Sequence, residues 1–187
     1  MSWDGEPSAL AEEYVNALYR PPQFPAGAPC ARWWATQNLL VGGSIISPAD
    51  GKHLAADFRV GVVLSVECER SDEGRWEEGR WEGAHCWAPF SDTGGDASEA
   101  MRKLLAFVRC HAYDYWPPGV AGPRYYVHCQ MGGSRSPAAA YLVLRLSLSP
   151  SAALVCIQRG KPGYGQHPFH QAYLAAAEKA LELECRR

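Results

Sequence analysis

The sequence predicts an α/β fold, a central, mostly parallel sheet of about four to five strands flanked by helices. Three observations predict it. Residues 60–66 (VGVVLSV) form a continuous apolar run, which suits a strand buried on both faces of a parallel sheet. Strand-like and helical stretches alternate as far as residue 146, after which the pattern is helical alone. Finally, the β-type run Tyr125, Tyr126, Val127 ends at a Gly-rich loop that opens an Ala/Leu-rich helical pattern. Open α/β sheets place such a junction at the C-terminal end of a central strand.

Taken in order, residues 8–19 carry Leu10, Tyr14, Val15 and Leu18 at helical spacing, with Pro21 and Pro22 as a stop. Residues 1–30 are therefore an N-terminal helix and linker. The helix either docks on its own domain or serves as an arm for a homodimer, and the sequence leaves both open. Residues 31–187 read as one further domain, and 47% hydrophobic content over 187 residues suffices for a single well-buried core.

Residues 36–41 suggest a strand closed by Gly42 and Gly43, and residues 52–58 a short helix before the apolar run. A polar insertion follows over residues 69–82. It holds two near-repeats of Gly-Arg-Trp-Glu, too few for a repeat architecture, so a hairpin excursion or surface loop is expected. Residues 84–88 read as another strand. Asp96 and Glu99 have capping-box spacing for a helix to about His111, whose core face is Met101, Leu104, Leu105 and Val108. A Pro/Gly loop over 116–123 returns the chain to the strand before Cys129. Residues 138–146 are nearly all apolar, hence a buried helix. Ser149 and Pro150 are an N-cap and first helical position for a helix to about Arg159. After a turn over 160–166, residues 169–183 form the last amphipathic helix.

Composition excludes several classes. A formal net charge of −2 and the absence of a basic run argue against nucleic acid or an anionic membrane surface as partner. No apolar stretch approaches the roughly 18 residues that span a bilayer, and no signal-peptide core is visible. Seven cysteines, an odd number without a C-x-x-C pair, argue for a reducing compartment, hence a cytoplasmic or nuclear location. His167 and His170 lack further ligands at metal spacing, so no metal site is expected. Cys68, Cys86, Cys110 and Cys156 fall in apolar segments and are expected in the core.

The candidate site is the loop His128, Cys129, Gln130, Met131, Gly132, Gly133, Ser134, Arg135, Ser136. Converging backbone N–H groups and the positive end of the following helix make it an anion site. Those charges and Arg135 favour the thiolate of Cys129, which is the nucleophilic form. Gly132 and Gly133 allow positive φ and close approach to an anion. The planar fork of Arg135 matches two phosphoryl oxygens. Ser136 can donate to the sulfur, and His128 can hold the loop by a hydrogen bond.

His128-Cys129-x-x-Gly132-x-x-Arg135-Ser136 resembles the phosphate-binding signature of the cysteine-dependent phosphatases, in the form used by dual-specificity protein phosphatases. Asn38 to Gly43 resembles the family's first strand, residues 60–66 its core strand, and residues 165–169 the turn before its last helix. The resemblance implies hydrolysis of phosphotyrosine and phosphoserine/phosphothreonine on protein substrates through a cysteinyl-phosphate, without metal or cofactor. It implies that Arg135 and the backbone amides of Gln130, Met131, Gly132, Gly133 and Ser134 bind the phosphoryl group. It also implies an Asp acid on a loop after a short strand. Asp92 fits, whereas Asp96 is better placed as a helix cap. Gln166 sits where relatives carry an amide that positions the hydrolytic water.

Departures from the pattern narrow the expectation. No Trp-Pro-Asp acid loop and no phosphotyrosine-stacking motif are present, which favours a shallower cleft. Gln130, Met131, Gly133 and Ser134 are uncharged, whereas relatives acting on phosphoinositides place Lys or His there. That argues against a polyanionic substrate, with Arg159 and Lys161 as candidate rim charges. The alternatives are a phosphatase for phosphoinositide or other non-protein phosphates, a phosphoprotein-binding module with weak turnover, and a rhodanese-like sulfur transferase.

Overall fold

Tyr125, Tyr126 and Val127 are bulky residues that suit a pleated, buried surface, and they form the middle of the sheet. A computed structural model of the protein describes residues 32–45, 47–69, 83–93, 95–111 and 124–186. The helix expected over 8–19, residues 70–82 of the polar insertion and the loop over 116–123 lie outside the described residues.

The strands are β1 (Trp33–Thr36), β2 (Leu39–Gly42), β3 (Val60–Ser65), β4 (Ala84–Trp87) and β5 (Arg124–His128). They form one five-stranded sheet in the order β1-β2-β5-β3-β4. β1 and β2 pair antiparallel, while β2, β5, β3 and β4 are mutually parallel. The single strand expected over 36–41 is therefore two short strands. A turn at Gln37 and Asn38, where the Asn38 N–H donates to Thr36 Oγ1 at 3.3 Å, reverses the chain between them.

Five helices are described: α1 (Pro48–Phe58), α2 (Ser98–His111), α3 (Arg135–Leu144), α4 (Pro150–Gly160) and α5 (Pro168–Cys185). The period-two alternation of β5 splits its side chains between two cores. Tyr125, Val127 and Cys129 face the larger one, with Met101, Leu104, Leu105, Val108, the whole of α3 from Ala138, and the inner faces of α4 and α5. Tyr126 faces the smaller one with Trp34, Leu40, Ile45, Leu54, Phe58 and Val63, which α1 covers. Burying each Val or Leu of β3 contributes roughly 1.5–3 kcal/mol, so the apolar run that signalled this strand also anchors it.

Under α1 the Arg32 Nη2 donates to Asp50 Oδ1 at 2.6 Å and its Nε to Tyr126 Oη at 3.2 Å, a buried ion pair tied to the smaller core. Helix starts follow cap chemistry. Ser47 accepts from the Asp50 N–H with Pro48 next, which begins α1 four residues before the expected Lys52. Ser149 with Pro150 does the same for α4, accepting from the Ala152 N–H. His167 Nδ1 accepts from the Phe169 N–H at α5. Cys86 and Cys156 are buried as expected, and burial pushes the Cys156 thiol up to about 11. Cys68 and Cys110, expected in the core, are exposed because they lie beyond the end of β3 and on the outer face of α2. No described helix is long and apolar enough to cross a membrane.

Candidate active site

β5 delivers its last residues to the C-terminal edge of the parallel strands, between the exits of β2 and β3. The chain then turns through Cys129 to Ser134 into α3. Gly132 has φ +73°, and a Cβ there would lie 2.7 Å from the Gly42 carbonyl carbon and 2.9 Å from the Gly43 nitrogen. Only glycine fits that backbone and that gap. The loop is thus pressed against the turn after β2, where the Cys129 N–H and the Ser136 hydroxyl both point to the Gly42 carbonyl, at 3.4 and 3.3 Å.

Cys129 is 1% exposed, and its Sγ accepts from the Gly132 N–H at 3.2 Å and faces Ser136 Oγ at 3.4 Å. α3 has no side-chain cap, unlike α1, α4 and α5. The hydroxyl of Ser134, at its cap position, donates instead to Asp92 Oδ1. The positive end of α3 is therefore left to the space in front of the sulfur. Tyr164, fully buried on the turn after α4, fixes this end by donating to the Ser134 carbonyl at 2.7 Å.

Arg135 is 1% exposed and folds back from the first turn of α3. Its Nη1 and Nη2 donate to the two carboxylate oxygens of Glu69 at 2.9 and 2.8 Å. Nη1 also faces the Phe90 carbonyl at 3.2 Å and Cys68 Sγ at 3.1 Å. Its Nε is buried and has no hydrogen-bond partner among the described residues, with Asp92 Oδ1 at 3.7 Å. Burial opposes the guanidinium charge, yet the Glu69 bonds and the nearby Cys129 and Asp92 raise its pKa overall. The same bonds hold the Glu69 carboxyl down to about 2.

Asp92 lies on the loop after β4. Its neighbours are braced: Phe90 packs edge-on against Tyr173 at 5.1 Å, and Tyr173 Oη donates to the Ser91 carbonyl at 2.8 Å. Asp96 points elsewhere, accepting from the Ser98 N–H at 2.8 Å at the start of α2. Of the two acids, Asp92 is the one brought to Ser134 and Arg135.

His128 is fully buried below the loop, stacked on Tyr126 at 5.3 Å, with its Nδ1 3.9 Å from Glu67 Oε2. Gln130 and Met131 are exposed at the rim, Met131 by 76%. Lys161 Nζ lies 3.7 Å from where a Gly133 Cβ would stand, so it belongs to the rim. Gln166 is exposed, with its side-chain oxygen turned towards Gly163, and no described hydrogen bond joins it to the loop. Glu69, Glu67, Ser44 and Tyr164 were not singled out from sequence. The usable signal for the two acids was their position directly after β3, on the ligand edge of the sheet. Among the described residues no cluster of His, Cys, Asp and Glu is arranged to hold a metal ion.

A strand end, a buried thiol at the start of a Gly-rich loop and a buried guanidinium at its end are thus brought to one edge of the sheet. No protein-family model matches the sequence, and no curated protein matches it. Solved structures do match. Tk-PTP in its active form superposes with a TM-score of 0.61 at 17% identity, over 80% of this chain and 97% of that one. PTPMT1 in complex with PI(5)P gives 0.61 at 15% identity, over 82% and 99%. Human DUSP28 gives 0.58 at 18%, over 87% and 99%. The chain has the fold of the cysteine phosphatases, in its dual-specificity-phosphatase-like form.

Proposed function

We propose that the chain hydrolyses phosphate monoesters on proteins, at phosphotyrosine and phosphoserine/phosphothreonine, through a cysteinyl-phosphate. One observation carries the reading: the buried Cys129 sulfur accepts a loop N–H at 3.2 Å while the buried Arg135 Nε holds a donor unspent among the described residues. A phosphoryl group supplies the missing acceptors and sits in line with the sulfur.

In the first step the Cys129 thiolate attacks phosphorus, the S–P bond forms and the P–O bond to the leaving group breaks. The loop amides of Gln130, Met131, Gly132, Gly133 and Ser134, with Arg135, take the equatorial oxygens. Asp92 gives its proton to the leaving oxygen. In the second step Asp92 takes a proton from water, the water oxygen bonds to phosphorus and the S–P bond breaks. The hydroxyl of Ser136, at 3.4 Å, donates to the departing thiolate. Gln166 would assist the water only after its side chain turns from Gly163. The uncharged rim of Gln130, Met131, Gly133 and Ser134 supports a single phosphate on a protein, met in the cytoplasm or nucleus.

One observation favours a second reading, a phosphoinositide or other polyanionic substrate. Lys161 stands beside Gly133 with no hydrogen-bond or ion-pair partner for its ammonium among the described residues. The test is hydrolysis of para-nitrophenyl phosphate by reduced protein with chelator present, followed by a panel of phosphotyrosine, phosphothreonine and phosphoinositide substrates. Turnover is expected with chelator, and none is expected from Cys129→Ser, which keeps phosphate binding. No turnover by reduced wild-type protein overturns the enzyme reading. Preference for phosphoinositides, lost in Lys161→Ala, selects the second.

A further inference from the structure

We propose that Ser44 and Glu67 are positioning residues for the phosphate loop: together they hold the Gln130 carbonyl outward so that the loop N–H groups face the anion. The inference rests on the phosphate-binding reading of the Cys129 loop.

An anion loop works only if its carbonyl oxygens are kept away from the phosphoryl oxygens, which they would repel. Buried carbonyls turned away need donors of their own. Ser44, 3% exposed on the turn after β2, supplies one such donor. Its N–H donates to the Gln130 carbonyl at 3.1 Å, and its hydroxyl lies 3.5 Å from the Cys129 carbonyl. That hydroxyl donates its one proton to Glu67 Oε2, so the carboxyl fixes where Ser44 stands and hence where its N–H meets the Gln130 carbonyl.

Glu67 has no solvent exposure. A carboxyl in that position costs free energy that an apolar side chain would not, so its retention calls for a use. It is anchored at its own backbone, where the carbonyl accepts from Trp87 Nε1 at 2.8 Å, which ties it to β4. Its Oε2 lies between Ser44 and His128, the residue before the nucleophile, with Nδ1 at 3.9 Å. The Val66 N–H donates to the His128 carbonyl at 2.9 Å, and Tyr126 Oη donates to the Gly43 carbonyl. The exits of β2, β3 and β5 are thereby joined beneath Cys129, and the Ser44–Glu67 bond is the link that closes this set. Sequence reading passes over both residues because they lie 85 and 62 positions from Cys129.

The experiment compares wild type with Ser44→Ala, Ser44→Thr and Glu67→Leu. Inorganic phosphate is the probe, and its affinity is read as protection of Cys129 from iodoacetate. Turnover of para-nitrophenyl phosphate and melting temperature are measured alongside. Loss of the buried Ser44–Glu67 hydrogen bond, which sets the Ser44 N–H against the loop, should weaken phosphate binding about fivefold to tenfold in Ser44→Ala and in Glu67→Leu. kcat/KM should fall at least as far, and Ser44→Thr, which keeps the hydroxyl, should restore both to near wild type. A lower melting temperature with unchanged phosphate affinity and kcat/KM overturns the proposal. Should Glu67→Leu fail to fold, Ser44→Ala decides alone, since it removes a single oxygen. Wild-type protein that binds phosphate without turnover sinks the enzyme reading and leaves this inference standing on the binding data. Wild-type protein that does neither overturns both.

Discussion

Arg135 and Glu69 meet fork to fork, Nη1 at 2.9 Å and Nη2 at 2.8 Å from the two carboxylate oxygens, and Nε is kept out of the pair. The carboxylate spends the Nη1–Nη2 edge of the guanidinium and leaves the Nε edge, which the proposed mechanism assigns to the phosphoryl group. Lysine has no second edge, so Arg135→Lys should lower kcat/KM by roughly 100-fold to 1,000-fold, comparable with removing an oxyanion donor. Steady-state kinetics on an aryl phosphate reads this directly.

The same pair predicts an acid-side signature. Glu69 is held at about 2 by Arg135, below its ordinary 4.5. A depressed carboxyl contributes stability that is fully present above about 4.5 and is lost as pH falls towards 2. Because Glu69 keeps about a third of its side-chain surface, 34%, in solvent, the contribution is modest. Melting temperature measured from pH 5 downward should fall less steeply in Glu69→Gln than in wild type. Parallel curves would remove the pair from the stability account.

Asp92 and Asp96 separate cleanly by leaving group. Asp92→Asn should leave turnover of a good aryl leaving group least affected and slow alkyl phosphates by at least about 100-fold, the range of general-acid catalysis. Asp96→Ala should keep activity and lower the melting temperature slightly with loss of its bond to the Ser98 N–H at the start of α2. The reverse pattern would exchange their assignments.

Gly132→Ala meets both a φ of +73° and a backbone 2.7 Å away, and neither can yield without moving the turn at Gly42. The expected cost is about 1–3 kcal/mol of stability together with loss of phosphate protection at Cys129. Denaturant unfolding and iodoacetate labelling measure the two effects.

Ser136→Ala removes the hydroxyl 3.4 Å from the sulfur. Attack should persist while breakdown of the cysteinyl-phosphate slows, giving a pre-steady-state burst of aryl product followed by slow turnover. A proportionate fall in both phases would place Ser136 outside the second step.

Much of the fold was legible, because the apolar run at 60–66 and the strand–loop–helix junction at Cys129 are local patterns. The strand expected over 36–41 became a hairpin because β1 is held by pairing with β2 and by packing on α4 and the smaller core, a context that residues 33–36 do not display on their own. α1 begins at Pro48 through the same Ser-Pro cap that was read correctly at Ser149. Within the site, Cys129, Arg135 and Ser136 are contiguous and so were readable. Glu69 and Tyr164 reach the loop from separations of 66 and 30 residues, through the sheet and the α4–α5 turn. Cys68 was assigned to the core on composition, yet it stands at the Arg135 guanidinium because β3 ends just before it.

β5 is paired along its length with β2 on one side and β3 on the other. Its amides should therefore rank among the slowest to exchange with deuterium, opening only when the whole domain opens. The segment carrying the thiol has no separate route to melting, because both neighbouring strands must leave first. Heat inactivation should then run at the rate of global unfolding, and loss of activity over time should report the lifetime of the native state itself.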